Sequence, residues 1–250
     1  MKNFIIKPFW LLLAFLIFIW IKAASRVNSL VLPSVQEVAQ ALKQLASSGV
    51  LWQSFLITIE RTLAAYLLAV LFGIILALLL YRFKLLEQTL RPFLTIIQAT
   101  PPVVWASLAV VWFGVADNLT PIFLIFIVSL PVIFVNLYQG LTDIDEELVE
   151  MARAYSTPEI RIIKAIYLPS LLPALVSALS IAFAFAWKAS VFAEFIASSS
   201  GIGYQLSLAN SMLATDRLFA WTIILILFML FVEYYLLEKL KARVGRWKNV

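Results

Sequence analysis

Four charged side chains, Glu60, Arg61, Lys188 and Glu194, fall inside or at the rims of long apolar runs. A charge at the centre of a membrane helix costs about 2.5–3.5 kcal/mol, so such residues face protein, water or a solute rather than lipid. Glu60 and Arg61 are adjacent, point in different directions on a helix, and are not expected to pair. Arg61 either snorkels to the nearer interface or faces a solute path. Lys188 either attracts an anion or pairs with Glu194, and the pairing is the preferred reading. Histidine and cysteine are absent, which removes the commonest proton shuttle and metal ligand, and the thiol nucleophile. Gly201 and Gly203 flank Ile202, yet no phosphate-binding loop with its lysine occurs anywhere. Nucleotide hydrolysis on this chain is therefore not expected, and neither a cofactor nor a metal is assigned to it.

The one long polar segment between hydrophobic runs is 142–169, TDIDEELVEMARAYSTPEIRIIKAIYLP. It reads as two short helices joined at a corner. Asp143 with Glu146 three residues on makes a capping box for the first. Ser156 with Glu159 repeats the device for the second, with Pro158 near its first turn. Ile144, Leu148, Met151, Ala152 and Tyr155 recur at helical spacing opposite Asp145, Glu146, Glu147, Glu150 and Arg153. Such a stripe suits either a helix lying on its own bundle or headgroups, or one that docks in a groove on a soluble partner.

Glu150-Met151-Ala152, Ser156-Thr157 and Ile166-Tyr167-Leu168-Pro169 resemble, without a gap, the E-A-A, x3, G, x9, I-x-L-P signature of the membrane subunits of bacterial ABC importers. Met151 stands for the first Ala and Ser156 for the Gly, whose left-handed helix exit Ser adopts less readily. Three further stretches, Leu32-Pro33-Ser34, QATPPVVWASLAVVWFG, and WKASVFAEF followed by GIGYQL, resemble the nitrate, sulfonate and taurine branch of these importers. The resemblance spans residues 32–237. It implies a type I importer permease-like bundle whose segment 142–169 is a coupling helix, with Glu150, Met151, Ala152, Ser156, Thr157, Leu168 and Pro169 contacting an ATPase. Implied partners are a second copy of the chain, two ATPase subunits that carry ATP and Mg, a substrate-binding protein and the lipid bilayer. The implied cargo is a small anion or compact organic solute.

The elements that must position these residues follow from composition. With 63% hydrophobic residues, 13% charged residues and a mean hydropathy of +0.98, the chain is an integral membrane protein. Six runs reach or approach spanning length, at 9–24, 55–81, 92–112, 121–138, 166–192 and 219–237, so an all-α, six-helix bundle is expected. The first is read as a retained span rather than a secretory signal, because it stays bulky to its end. The division is 1–54 for the first span and an external connection, 55–240 for the core, and 241–250 for a basic tail.

With both termini inside, thirteen Lys and Arg residues fall on the cytoplasmic side (2, 7, 82, 84, 91, 153, 161, 164, 239, 241, 243, 246 and 248) and four outside (22, 26, 43 and 217). This puts 142–164 on the cytoplasmic side, and the resemblance implies a bacterial plasma membrane. The net charge of +5 is a topology signal, and no nucleic-acid partner is expected.

Ser34 is read as capping an external amphipathic helix with Val35, Val38, Ala41, Leu42 and Leu45 on one face. Pro101-Pro102 kinks the third span, with Thr100, Trp105 and Ser107 nearby. The fifth span carries small residues from Ala174 to Ser190 that permit close helix approach and a central position. The path candidates are thus Arg61, Thr100, Pro101, Pro102, Trp105, Lys188 and Glu194. An ion-coupled secondary transporter, the alternative, would need carboxylates well inside spans and an inverted repeat. A membrane enzyme would need clustered acids or a nucleophile with its base.

Overall fold

The computed structural model describes residues 6–115 and 118–239; Lys2 and the tail 241–250 counted above lie outside them. Eleven α-helices are described: α1 Ile6–Ala24, α2 Val35–Ser47, α3 Val50–Arg82, α4 Lys84–Ala99, α5 Pro102–Phe113, α6 Leu119–Thr142, α7 Glu146–Ala154, α8 Glu159–Ile162, α9 Leu168–Ala197, α10 Ile202–Ser211 and α11 Thr215–Phe231. Among the described residues there is no strand.

Helix α6 is the axis of the bundle, buried along most of its length from Thr120 to Leu141. Helices α3 and α9 pack on it, and the sequence explains how closely. On α3, Ala65, Ala69, Gly73 and Ala77 recur every four residues and are all buried. Ala178, Ala182, Ala186 and Ser190 do the same on α9. Small residues in these rows let helix backbones approach without a large side chain between them. A Cβ on Gly73 would stand 2.8 Å from Ile133 Cγ2, and one on Gly140 would stand 2.5 Å from Ala174 Cβ.

Among the described residues four helices are long and apolar enough to cross a membrane: Val50–Arg82, Leu119–Thr142, Glu159–Ala197 and Thr215–Tyr235. The expected third span is not one kinked helix; α4 and α5 meet at 98°. Pro101 is extended, at φ −57° and ψ 140°, and neither Pro101 nor Pro102 has an N–H to carry the helix across. Counting that pair as one span gives five among the described residues. Helix α1, apolar over Leu11–Ala24, is shorter. It exposes Leu11, Phe15 and Phe18 and is tied at its end by Trp20, whose Nε1 donates to Pro33 O at 2.9 Å.

The expected cap at Ser34 is present as a full box with Glu37. Val38, Ala41 and Leu45 of α2 are buried against Ile202, Leu206, Ala220 and Trp221 of α10 and α11. Helix α10 begins at Ile202, directly after Gly201 at φ +98°.

Candidate functional sites at the two ends of the bundle

Helices α3, α6 and α9 have two dissimilar ends. At one, the start of α3 meets the end of α9 and the start of α10. At the other, the ends of α3 and α6 meet α7 and α8.

At the first end, Glu194 is wholly buried and Arg61 is 6% exposed. Arg61 Nη1 donates to Glu194 Oε1 at 3.1 Å. Glu194 Oε2 accepts from Thr58 Oγ1 at 2.8 Å and from the Gly203 N–H at 3.0 Å. Thr58 Oγ1 in turn accepts the Ile202 N–H at 2.9 Å, so the first turn of α10 is capped by groups from α3 and α9. The rest of the guanidinium is satisfied too. Its Nε and Nη2 reach Asn118 Oδ1 at 2.8 and 2.6 Å, and it also donates to Ser198 Oγ, Ser200 O and Ser200 Oγ. A side chain on Gly203 would strike Val191 O and Glu194.

This arrangement corrects two expectations. Glu194 pairs with Arg61 and not with Lys188, because residues six apart on a helix are separated by about 120° around its axis. Arg61 does not snorkel; it is enclosed by four partners from three parts of the chain. The sequence signal that could have joined them was two lone opposite charges near the same rim, one of them just before a Gly-x-Gly turn.

Lys188 lies on another face of α9, exposed on the chain surface, with Nζ 5.8 Å from the centre of the Phe185 ring. It borders a cavity of about 500 Å3 together with Pro101, Pro102, Val103, Phe185 and Phe192. The elbow beside it is satisfied locally. The carbonyl that Pro101 leaves without its helical donor is Ile97 O, and Trp105 Nε1 donates to it at 3.3 Å. Thr100 Oγ1 donates to Ile96 O at 2.7 Å. Pro101, Pro102 and Lys188 are thus brought together with Trp105 supporting the elbow, whereas Arg61 and Glu194 belong to a separate network.

At the opposite end the corner is made differently from expectation. Asp143 closes α6 rather than opening α7; the N-cap is Asp145, whose side chain accepts from Glu147 N. Ser156 caps nothing. It stands at φ +53°, its N–H donates to Arg153 O at 2.8 Å, and the Thr157 N–H donates to Ala152 O at 3.1 Å. These two bonds close a helix through a left-handed residue, so Ser156 does what a glycine would do there. Helix α8 begins after Pro158 without a side-chain cap and is not a separate short helix. It runs through a π-turn at Ile163–Tyr167 into α9, giving one helix from Glu159 to Ala197. Arg153 Nε spans the corner to Glu159 Oε1 at 2.9 Å.

The stripe on α7 divides in two. Ile144 turns inward and is buried with Val149, a residue the spacing argument passed over, against Leu141 and Ile162. Leu148, Met151 and Tyr155 stay outside, Met151 52% and Tyr155 81% exposed. Glu150, Ser156, Leu168 and Pro169 are exposed, and Ala152 and Thr157 are half-buried.

Residues 69–242 match the family described as Binding-protein-dependent transport system inner membrane component. The chain is 32% identical over 228 residues to a probable ABC transporter permease protein of Haemophilus influenzae, covering 90% of this chain and 91% of that one. It is 29% identical to the putative aliphatic sulfonates transport permease SsuC of Bacillus subtilis, covering 96% and 87%. To the taurine transport system permease TauC of Escherichia coli it is 26% identical, covering 94% and 87%. In fold it resembles a chain of the inward-facing MetNI methionine ABC transporter, with a TM-score of 0.62, 18% identity, and coverage of 78% of this chain and 97% of that one. A chain of an amino acid ABC transporter gives 0.61, 19%, 82% and 97%.

Proposed function

The chain belongs to the family of binding-protein-dependent transport system inner membrane components, and from that premise we propose how it is driven and what it carries. It is the permease subunit of an ABC importer. That membership displaces the ion-coupled transporter and the membrane enzyme weighed from the sequence.

In our reading the chain works as a pair of identical copies with two separate ATPase subunits, which hold ATP and Mg, and receives its cargo from a binding protein. Both termini and the α7–α8 corner lie in the cytoplasm of a bacterial cell. The observation that carries this reading is the split face of α7. Ile144 and Val149 fix the helix to the bundle while Leu148, Met151 and Tyr155 remain exposed beside the corner, which is the form of an amphipathic helix offered to a groove. When the ATPases close, α7 moves with them, and the continuous helix Glu159–Ala197 carries the displacement to the far side. Such coupling requires that the ATPase bind two permease conformations with different free energies.

The cargo is a small organic anion of the aliphatic sulfonate kind. Support comes from the names of the relatives and from the cation that Lys188 brings to the elbow face.

The test is co-purification. Glu150→Lys reverses a charge beside the docking face and is expected to lose the ATPase subunits while the chain still inserts. Full retention of the ATPase by this variant contradicts the docking role.

A further inference from the structure

We propose that Lys188 is the residue that selects for negative charge in the solute, holding the acidic head of a small organic anion while Phe185 and Phe192 take its apolar part. The proposal rests on the reading that the elbow face lines a path closed by a second copy, and it names what that face binds.

Among the described residues two cations lie well away from the ends of the spans, Arg61 and Lys188, and their partners separate them. Arg61 is neutralised by Glu194 and saturated with hydrogen bonds, so it has no donor left for a solute. Arg82 stands at the very end of α3. Lys188 is within α9, and among the described residues no carboxylate lies within 4 Å of its ammonium. Glu233 borders a neighbouring cleft of about 660 Å3 that Lys188 also touches. The ammonium has three N–H donors and none of them is given to the protein among the bonds described. Facing hydrocarbon it would be strongly disfavoured; facing a water-filled path it is a binding group.

Its surroundings narrow the ligand. The cavity of about 500 Å3 is walled by Pro101, Pro102, Val103, Phe185 and Phe192, with almost no polar side chain besides Lys188. Such a wall gives no hydrogen bonds to a polyol or a zwitterion's ammonium. It matches a ligand with one concentrated negative end and a short apolar remainder, as in an alkanesulfonate. Lys188 supplies a point charge rather than a planar fork, so it discriminates by sign and not by the geometry of the acid.

The absence of cysteine from the chain allows a direct test in membranes holding the assembled transporter. Val103 is exposed and shares the cavity with Lys188. Val103→Cys is treated with 2-sulfonatoethyl methanethiosulfonate, which carries an ethanesulfonate, or with its trimethylammonium counterpart. Each reagent forms a disulfide with the thiol and releases methanesulfinate. The expected result is labelling by the sulfonate about tenfold faster than by the cation, after correction for their rates on a free thiol. Lys188→Gln should abolish that preference and Lys188→Arg should keep it. Labelling without charge preference, or a preference unchanged by Lys188→Gln, overturns the proposal and leaves the water-lined path standing. Failure of both charged reagents to label overturns the path as well.

Discussion

Arg61 Nη1 and Glu194 Oε1, 133 residues apart in sequence, meet at 3.1 Å in a site closed to solvent, and with Thr58 they hold the first turn of α10 between α3 and α9. The pair is a strut rather than a binding site, since each of its polar atoms is already used.

Removing one partner leaves a buried charge uncompensated, at a cost of about 3–5 kcal/mol. Arg61→Met and Glu194→Leu are each expected to lower the detergent-solubilised protein's melting temperature sharply. The double variant should be milder than the sum of the two. Additive losses would mean that the pair is not coupled.

Gly203→Ala acts on the same strut from the other side. The added Cβ meets Val191 O and Glu194, so backbone must move. A loss of stability similar to that of Glu194→Leu, measured by the same melt, is expected, along with faster amide exchange across α10 than elsewhere.

Ser156 occupies the left-handed position that ends α7. A non-glycine residue there carries a strain of roughly 1–2 kcal/mol, so Ser156→Gly should be neutral or stabilising and should keep ATPase co-purification. Ser156→Pro removes the N–H that donates to Arg153 O and cannot adopt positive φ. It should lose co-purification, while membrane insertion is retained.

Trp105→Phe keeps the ring in the elbow and withdraws the Nε1 donor from Ile97 O. An unsatisfied carbonyl costs about 1–3 kcal/mol. The expected outcome is faster amide exchange in 96–105 with the rest of the bundle unchanged. Unaltered exchange there would show that another donor serves this carbonyl.

Much of this was legible in the residues. The polar break at 142–169 stood out because everything around it was apolar, and Ser34 with Glu37 announced α2 by a purely local device. The small-residue row on α9 was visible because alanine and serine alternate there with large side chains. The matching row on α3 was missed, since Ala65, Ala69, Gly73 and Ala77 are diluted among leucines in a chain that is 63% hydrophobic. Capping was misassigned at Asp143 and Ser156 for a physical reason. A cap depends on where the preceding helix stops, and α6 continues to Thr142. The Arg61–Glu194 pair was hinted at only by two lone opposite charges near one rim, because register between distant spans sets it. Pro101-Pro102 marked the break correctly, but its size depends on Pro101 adopting an extended conformation instead of a kinked helical one.

The claim on which the account turns is that the exposed face of α7 is a cytoplasmic seat for a separate ATPase, and Tyr155→Cys in this cysteine-free chain measures it. In inside-out vesicles a membrane-impermeant maleimide should label that thiol when the ATPase has been stripped and should fail when it is bound, and intact cells should give no labelling at all. Labelling of intact cells, or labelling of stripped and loaded vesicles at the same rate, would contradict it.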